Sequence, residues 1–237
     1  MIDFGIIAAG DGNRIKEEGS KVSKPLVSID GEPMIARLIK IMTEAGADSI
    51  SIVINSGMTE VIEFLEDYRH NNFEVSLKIL ETRTPSSMHT FYELSKLMNP
   101  EDKFIVSTVD TIFRKEEFLK YVDTFRSSPK FIDGLMGVTD YIDDEKPLYV
   151  ETGNEMKIIG YKDTEFEGVE YVSAGIYGLD VRALPVLNDC LQKGLNRMRN
   201  FQRALIESGL NLKAFNLGKV IDVDHLEDVE KANNFLK

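Results

Sequence analysis

Apolar residues recur along this chain in two alternating rhythms. Short β-rich runs occupy Phe4–Ala9, Ser49–Ile54, Val75–Leu80, Phe104–Val109, Gly134–Val138, Tyr171–Tyr177 and Val220–Val223. Between them, apolar positions three and four residues apart predict helices over Met34–Ala45, Glu60–Tyr68, Met88–Leu97, Lys115–Phe125, Arg182–Leu191, Asn200–Ser208 and Leu226–Leu236. In the first of these, Met34, Leu38, Ile41, Met42 and Ala45 share one face. Pro33 opens it and Gly46 closes it, where a missing N–H and a left-handed backbone are tolerated. Strands alternating with helices of this length form βαβ units. The pattern therefore predicts an α/β fold of three layers, α/β/α, Rossmann-like, with a mainly parallel sheet covered on both faces. The polar stretch Asp140–Glu170 breaks the rhythm. Its strand signals at Leu148–Glu151 and Met156–Gly160 flank the turn-like Thr152-Gly153-Asn154 and predict a small β-hairpin excursion. No repeat or low-complexity linker divides the chain, so residues 1–237 are read as a single domain.

Composition narrows the function classes. The 237 residues suffice for a substantial core. A net charge of -12 with no basic patch argues against a nucleic acid partner. No apolar run approaches the roughly 18 to 20 residues of a membrane span, and MIDFGIIAAG lacks the basic start of a signal peptide. The lone Cys190 cannot form an internal disulfide, which fits a reducing, cytoplasmic compartment. A monomer or homodimer is expected. If so acidic a chain binds a polyanionic nucleotide, it must supply local cations and a metal ion.

Such cations follow the first strand. The connection reads Ala8-Ala9-Gly10-Asp11-Gly12-Asn13-Arg14. Gly10 and Gly12 permit a sharp turn whose amides can face phosphate oxygens. It is not a dinucleotide fingerprint, because Ile15 stands where a third Gly or Ala belongs, and no Walker Gly-Lys-Ser/Thr follows. Alone, a Gly-x-Gly is as readily a structural turn as a phosphate site. After it come a polar stretch, Ile15–Ser23, read as a mobile loop, then Lys24-Pro25-Leu26-Val27 and Gly31-Glu32-Pro33-Met34-Ile35. One Arg and one Lys placed near a glycine turn suit a triphosphate; the bland alternative makes both solvated surface charges.

The string Ala-Ala-Gly-x-Gly-x-Arg, a gap, Lys-Pro-Leu-Val and Gly-x-Pro-Met-Ile resembles the N-terminal signature of the nucleotidyltransferases. These comprise sugar-1-phosphate nucleotidylyltransferases and their molybdenum-cofactor and phosphocholine cytidylyl relatives. The resemblance implies the nucleotide-diphospho-sugar transferase fold and a single catalytic domain. It also implies Mg²⁺ and two small-molecule partners, a nucleoside triphosphate and a phosphorylated acceptor. Ala8, Ala9, Gly10, Gly12 and Asn13 would meet the nucleotide, Arg14 the departing phosphates, and Lys24 the α-phosphate or the acceptor phosphate. Asn13 departs from the family's usual Thr or Ser.

Two groups of acids complete the candidate site. Phe104–Asp110 is an apolar run ending in an acid, and in open α/β sheets ligands sit beyond the carboxyl ends of strands. Asp110 there can hold a hard cation through oxygen or cap the next helix; the resemblance implies metal binding. Thr108 and Thr111 stand beside it. Late in the chain, Asp222-Val223-Asp224-His225 resembles the family's closing Asp-x-Asp segment, which supplies the second metal ligand. Asp222 and Asp224 can share one face of a strand, with Asp222 the favoured ligand and Asp224 either behind it or the N-cap of the last helix. His70, His89 and His225 show no zinc spacing.

The middle segments match the family less closely. Ser86 or Ser87 either caps the helix that follows or lies near base and ribose, where the family has a Gly-Thr pair. Tyr171–Tyr177 resembles the family's Asn-x-Gly-Ile-Tyr strand facing the acceptor, so Ser173 and Gly175 are candidate acceptor contacts. Ile159-Gly160-Tyr161-Lys162 takes the place of Glu-Lys-Pro, making Lys162 a candidate for the acceptor phosphate. Sugar 1-phosphate is the first expectation for the acceptor, with phosphocholine or another alcohol phosphate as the alternative. Two rivals are a glycosyltransferase of related fold, which normally carries a mid-chain Asp-x-Asp absent here, and an inactive nucleotide-binding regulatory module.

Overall fold

The structure, a computed structural model, describes residues 2–143 and 145–237. In chain order the elements are β1 (Asp3–Ala8), α1 (Asn13–Glu17), β2 (Ser28–Ile29), β3 (Glu32–Pro33), α2 (Met34–Glu44), β4 (Ser49–Ile54), α3 (Thr59–Asn71), β5 (Ser76–Glu81) and α4 (Ser87–Met98). Then follow β6 (Lys103–Thr108), β7 (Thr111–Ile112), α5 (Lys115–Ser127), β8 (Gly134–Thr139), β9 (Tyr149–Thr152), β10 (Ile158–Lys162), β11 (Tyr171–Asp180), α6 (Ala183–Gln192), α7 (Met198–Glu207), β12 (Leu212–Asn216), β13 (Ile221–Asp222) and α8 (Leu226–Leu236).

Nine strands form one mixed sheet. β5, β4, β1 and β6 run parallel as neighbours. β11 joins antiparallel to β6, and its other edge carries β8, which pairs in parallel with β12. The hairpin β9–β10 attaches to the start of β11. One face is covered by α2, α3 and α5 through residues such as Leu38, Leu65 and Phe118. The other is covered by α4, α6 and α7 through Phe91, Leu187 and Phe201. The three-layer α/β/α arrangement and the hairpin excursion are as the sequence predicts.

Three segments differ from expectation. Val220–Val223 is not a strand of the main sheet: only Ile221–Asp222 pairs, antiparallel to β7, in a separate ladder. β12 adds an edge strand in which only Leu212 and Ala214 turn inward, too few apolar positions to stand out from a loop. The stretch expected as a mobile loop begins with α1, because Ile15, 1% exposed, anchors it against Ile29, Ile221 and Val223. This third, small core ties both ends of the sequence to one rim of the sheet. Among the described residues no helix is long and apolar enough to cross a membrane.

Candidate active site

The rim is set by strand register. Ala8 of β1 pairs with Ile54 of β4, and Ile7 with Thr108 of β6, so the parallel strands end together. The glycine loop and Asp110 leave from that edge, where open α/β sheets bind ligands. Asn55, just past β4, donates to the Asp11 carboxylate at 2.8 Å and pins the loop. Gly12 is left-handed (φ +61°), and a Cβ there would stand 2.8 Å from Lys24 Cβ. Only glycine lets the loop and Lys24 approach so closely.

The small β7–β13 ladder delivers the late acids. It sets Asp222 opposite Thr111, and the Val223 amide donates to the Asp110 carbonyl at 3.1 Å. Thr111 Oγ1 donates to Asp222 Oδ1 at 3.0 Å and lies 2.6 Å from Thr108 Oγ1. Gly175 crosses above this pair in a left-handed conformation (φ +70°); a Cβ would meet Thr111 Oγ1 at 2.6 Å and Thr108 Oγ1 at 2.9 Å. Gly175 is thus a packing requirement of the acidic cluster.

Into the cluster reaches Lys24. Its Nζ lies 2.5 Å from Asp110 Oδ2 and 2.6 Å from Asp224 Oδ1. Arg14 Nη1 holds the other oxygen of Asp224 at 2.7 Å. Burial would lower the Lys24 ammonium, but Asp110 and then Asp224 more than offset this and hold it above the usual lysine range. Burial likewise pushes Asp110 up, and Lys24 with the Thr108 hydroxyl brings its carboxyl below the usual range. Among the described residues Asp222 makes no ion pair, although Lys24 is near enough to pull its carboxyl down. Asp222 is exposed in the second cleft, yet desolvation, then the neighbouring Asp110 carboxylate, pushes it up to about 7.

Two clefts meet at this cluster. The first, about 270 Å³, lies between the Ala8–Gly12 loop, Lys24, Ser86, Ser87 and Asp110. The second, about 130 Å³, is lined by Arg14, Ser173, Asp222, Asp224, His225 and Lys231, among others. Arg14, Lys24, Asp110, Asp222 and Asp224 therefore share one rim. Ser86 is the N-cap of α4, accepting from the His89 amide at 3.4 Å, while Ser87 opens the helix. Ser173 lines the second cleft and donates to Gln202 Oε1 at 2.9 Å.

Several readings change. Asp110 caps no helix: Arg114 is the N-cap of α5. Asp224 is not the cap of α8: that position is His225, in a capping box with Asp228. Nor do Asp222 and Asp224 share a strand face, since β13 stops at Asp222. Lys162 is not brought to the cluster. It pairs with Glu151 at 2.9 Å and lies over the Phe166 ring at 4.1 Å, lining neither cleft. Lys231, which no sequence motif marks, lines the second cleft and meets Asp143 at 2.9 Å.

Among the described residues no group of three or more His, Cys, Asp or Glu side chains could by itself hold a metal ion. The donor chemistry still fits Mg²⁺. That ion takes hard oxygen ligands and is typically held by one or two carboxylates plus substrate phosphates. Asp110 and Asp222 supply two carboxylates near enough to repel one another, and among the described residues Asp222 is the one of the two without an ion pair.

The sequence profile described as nucleotidyl transferase matches residues 5–237. A bifunctional IPC transferase and DIPP synthase from Aquifex aeolicus is 27% identical over 98% of this chain and 51% of its own length. A bifunctional protein GlmU from Clostridioides difficile is 24% identical over 98% of this chain and 51% of its own. The chain thus spans about half the length of these relatives. Among solved structures, the inositol-1-phosphate CTP transferase from T. maritima superposes with a TM-score of 0.79 at 18% identity, covering 100% of this chain and 98% of that one. A putative glucose-1-phosphate thymidylyltransferase from Bacillus anthracis gives 0.84 at 19%, covering 99% and 95%.

Proposed function

Since the chain belongs to the nucleotidyl transferase family, we propose that it transfers a nucleoside monophosphate from a nucleoside triphosphate to a phosphorylated small molecule, releasing pyrophosphate. The observation that carries this reading is the convergence on Lys24: its ammonium lies 2.5 Å from Asp110 and 2.6 Å from Asp224, between two clefts. The larger cleft takes the triphosphate against the glycine loop. The smaller one takes the acceptor.

The chemistry is an in-line displacement. An oxygen of the acceptor phosphate forms a bond to the α-phosphorus as the bond from that phosphorus to the bridging oxygen of pyrophosphate breaks. Such a reaction depends on positioning and charge stabilisation more than on covalent catalysis. Lys24, leaving its carboxylates as phosphates arrive, stabilises charge at the α-phosphorus and acceptor; Arg14, which lines the smaller cleft against Asp224, turns toward the larger one to hold the departing pyrophosphate. No general base is needed, because the acceptor phosphate is ionised at neutral pH. Asp110 and Asp222 would hold Mg²⁺, which when bound draws off charge on the phosphate oxygens. Asp224, engaged by both Lys24 and Arg14, is assigned to orienting the cations. Residues 1–237 act as one catalytic domain, as a monomer or homodimer, in the cytoplasm.

A sugar 1-phosphate is the first choice of acceptor. An alcohol phosphate is favoured by Ser173, whose short side chain faces the second cleft where the family has Asn, and by relatives that include an inositol-1-phosphate CTP transferase. The test crosses four nucleoside triphosphates with sugar and alcohol phosphates, with and without Mg²⁺, and reads pyrophosphate. Release with one pair and Mg²⁺ is expected. Nucleotide binding without release under any pairing would point instead to a regulatory module.

A further inference from the structure

The α1 segment carries a contact that the chemistry above leaves unused. Glu18 follows α1 with helical backbone angles and grips the start of α8 with both oxygens. Oε1 meets His225 Nδ1 at 2.5 Å, and Oε2 accepts from the Leu226 amide at 2.7 Å. On its far side the His225 ring faces Glu145, with Nε2 3.8 Å from the carboxylate. Arg14 lies four residues before Glu18. On one turn of helix those two side chains leave from the same face, and both reach the same short stretch, Arg14 to Asp224 and Glu18 to His225 and Leu226. Left-handed glycines, Gly12 and Gly19, bound the segment, and no other heavy atom would crowd a Cβ at Gly19. Within it, Ile15 is the buried apolar anchor. One such anchor fixes where α1 sits and leaves its rotation about its own axis to polar contacts.

We infer that Glu18 is a positioning residue: its two-oxygen grip on His225 and the Leu226 amide sets the rotation of α1 that aims Arg14 at Asp224, at the boundary of the two clefts. Glu18 touches no substrate and acts through Arg14. The inference rests on the reading of Arg14 as a triphosphate-binding cation. It also gives His225 a role as the counterpart of Glu18.

A double-mutant cycle tests this with the responding substrate pair from the pyrophosphate screen. Glu18→Ala is expected to lower kcat/KM for the triphosphate by about ten- to a hundredfold, the scale of a misplaced group, with a smaller change in KM for the acceptor phosphate. Arg14→Ala costs more, and Glu18→Ala with Arg14→Ala together costs no more than Arg14→Ala alone, because a positioning residue has nothing left to position. Glu18→Gln keeps the bond to the Leu226 amide and should retain most activity. Limited trypsin digestion supplies a readout free of substrate: cleavage after Lys16 and Lys21 should quicken in Glu18→Ala with the melting temperature unchanged. Additive losses, or no loss in Glu18→Ala beside a normal loss in Arg14→Ala, overturn the role of Glu18 alone. Full activity in Arg14→Ala removes the reading beneath it.

Discussion

Lys24 Nζ lies 2.5 Å from Asp110 Oδ2, although 86 positions separate the two in the chain. A lysine with 11% of its side chain exposed, placed between two carboxylates, is a cation set where a triphosphate must lose charge. Replacing it should therefore affect turnover more than binding. Lys24→Ala is expected to reduce kcat by about 10²–10³-fold while the dissociation constant of the triphosphate rises much less. Stopped-flow pyrophosphate release together with equilibrium nucleotide titration checks this. Full turnover in the variant would remove Lys24 from the reaction.

Gly175 gives a purely steric prediction. Gly175→Ala sets a methyl 2.6 Å from Thr111 Oγ1 at a φ of +70°, strain and overlap that together cost about 2–4 kcal/mol. Because Thr111 holds Asp222, activity should fall along with the denaturation midpoint. Thr111→Ser keeps the hydroxyl and should preserve both. A Gly175→Ala protein as stable as the parent would show that β11 can move away from the cluster.

The pH dependence of the metal-free protein follows from Asp222. Its folded pKa, up to about 7, exceeds the ordinary value of 3.8. The folded state thus binds the proton more tightly than the unfolded state, and stability is lost as pH rises through that window. In EDTA, Asp222→Asn should raise the melting temperature at pH 8 by a few degrees, on the order of 2–4 °C, and by less than half as much at pH 5. Mg²⁺ should stabilise the parent at pH 8 and do so less for the variant. An equal effect of the substitution at both pH values would contradict the assignment.

Much of this arrangement is legible in the sequence. The glycine loop and Asp110 can be placed because each sits just beyond an apolar run of a buried strand, and parallel strands end at one rim; Lys24 is marked only by its motif, Lys24-Pro25-Leu26-Val27. The late acids are harder. Asp222 reaches the site through a ladder of two residues against β7, too short to leave a periodic signature. Asp224 meets Arg14 across 210 positions, a contact with no local trace. α1 reads as a loop because a single apolar residue, Ile15, anchors it. Lys162 illustrates the converse: a cation in a matching segment is paired with Glu151 on the hairpin, a partner that spacing alone does not reveal.

In the proposed reaction the bond broken lies between the α- and β-phosphorus positions of the triphosphate. Phosphorus-31 NMR of a reaction containing the triphosphate, the acceptor phosphate and Mg²⁺ reads this directly. The triphosphate signals should give way to free pyrophosphate and two coupled diphosphate resonances joining nucleoside to acceptor, in equal amounts. A nucleoside diphosphate beside an acceptor with an added phosphate would contradict it.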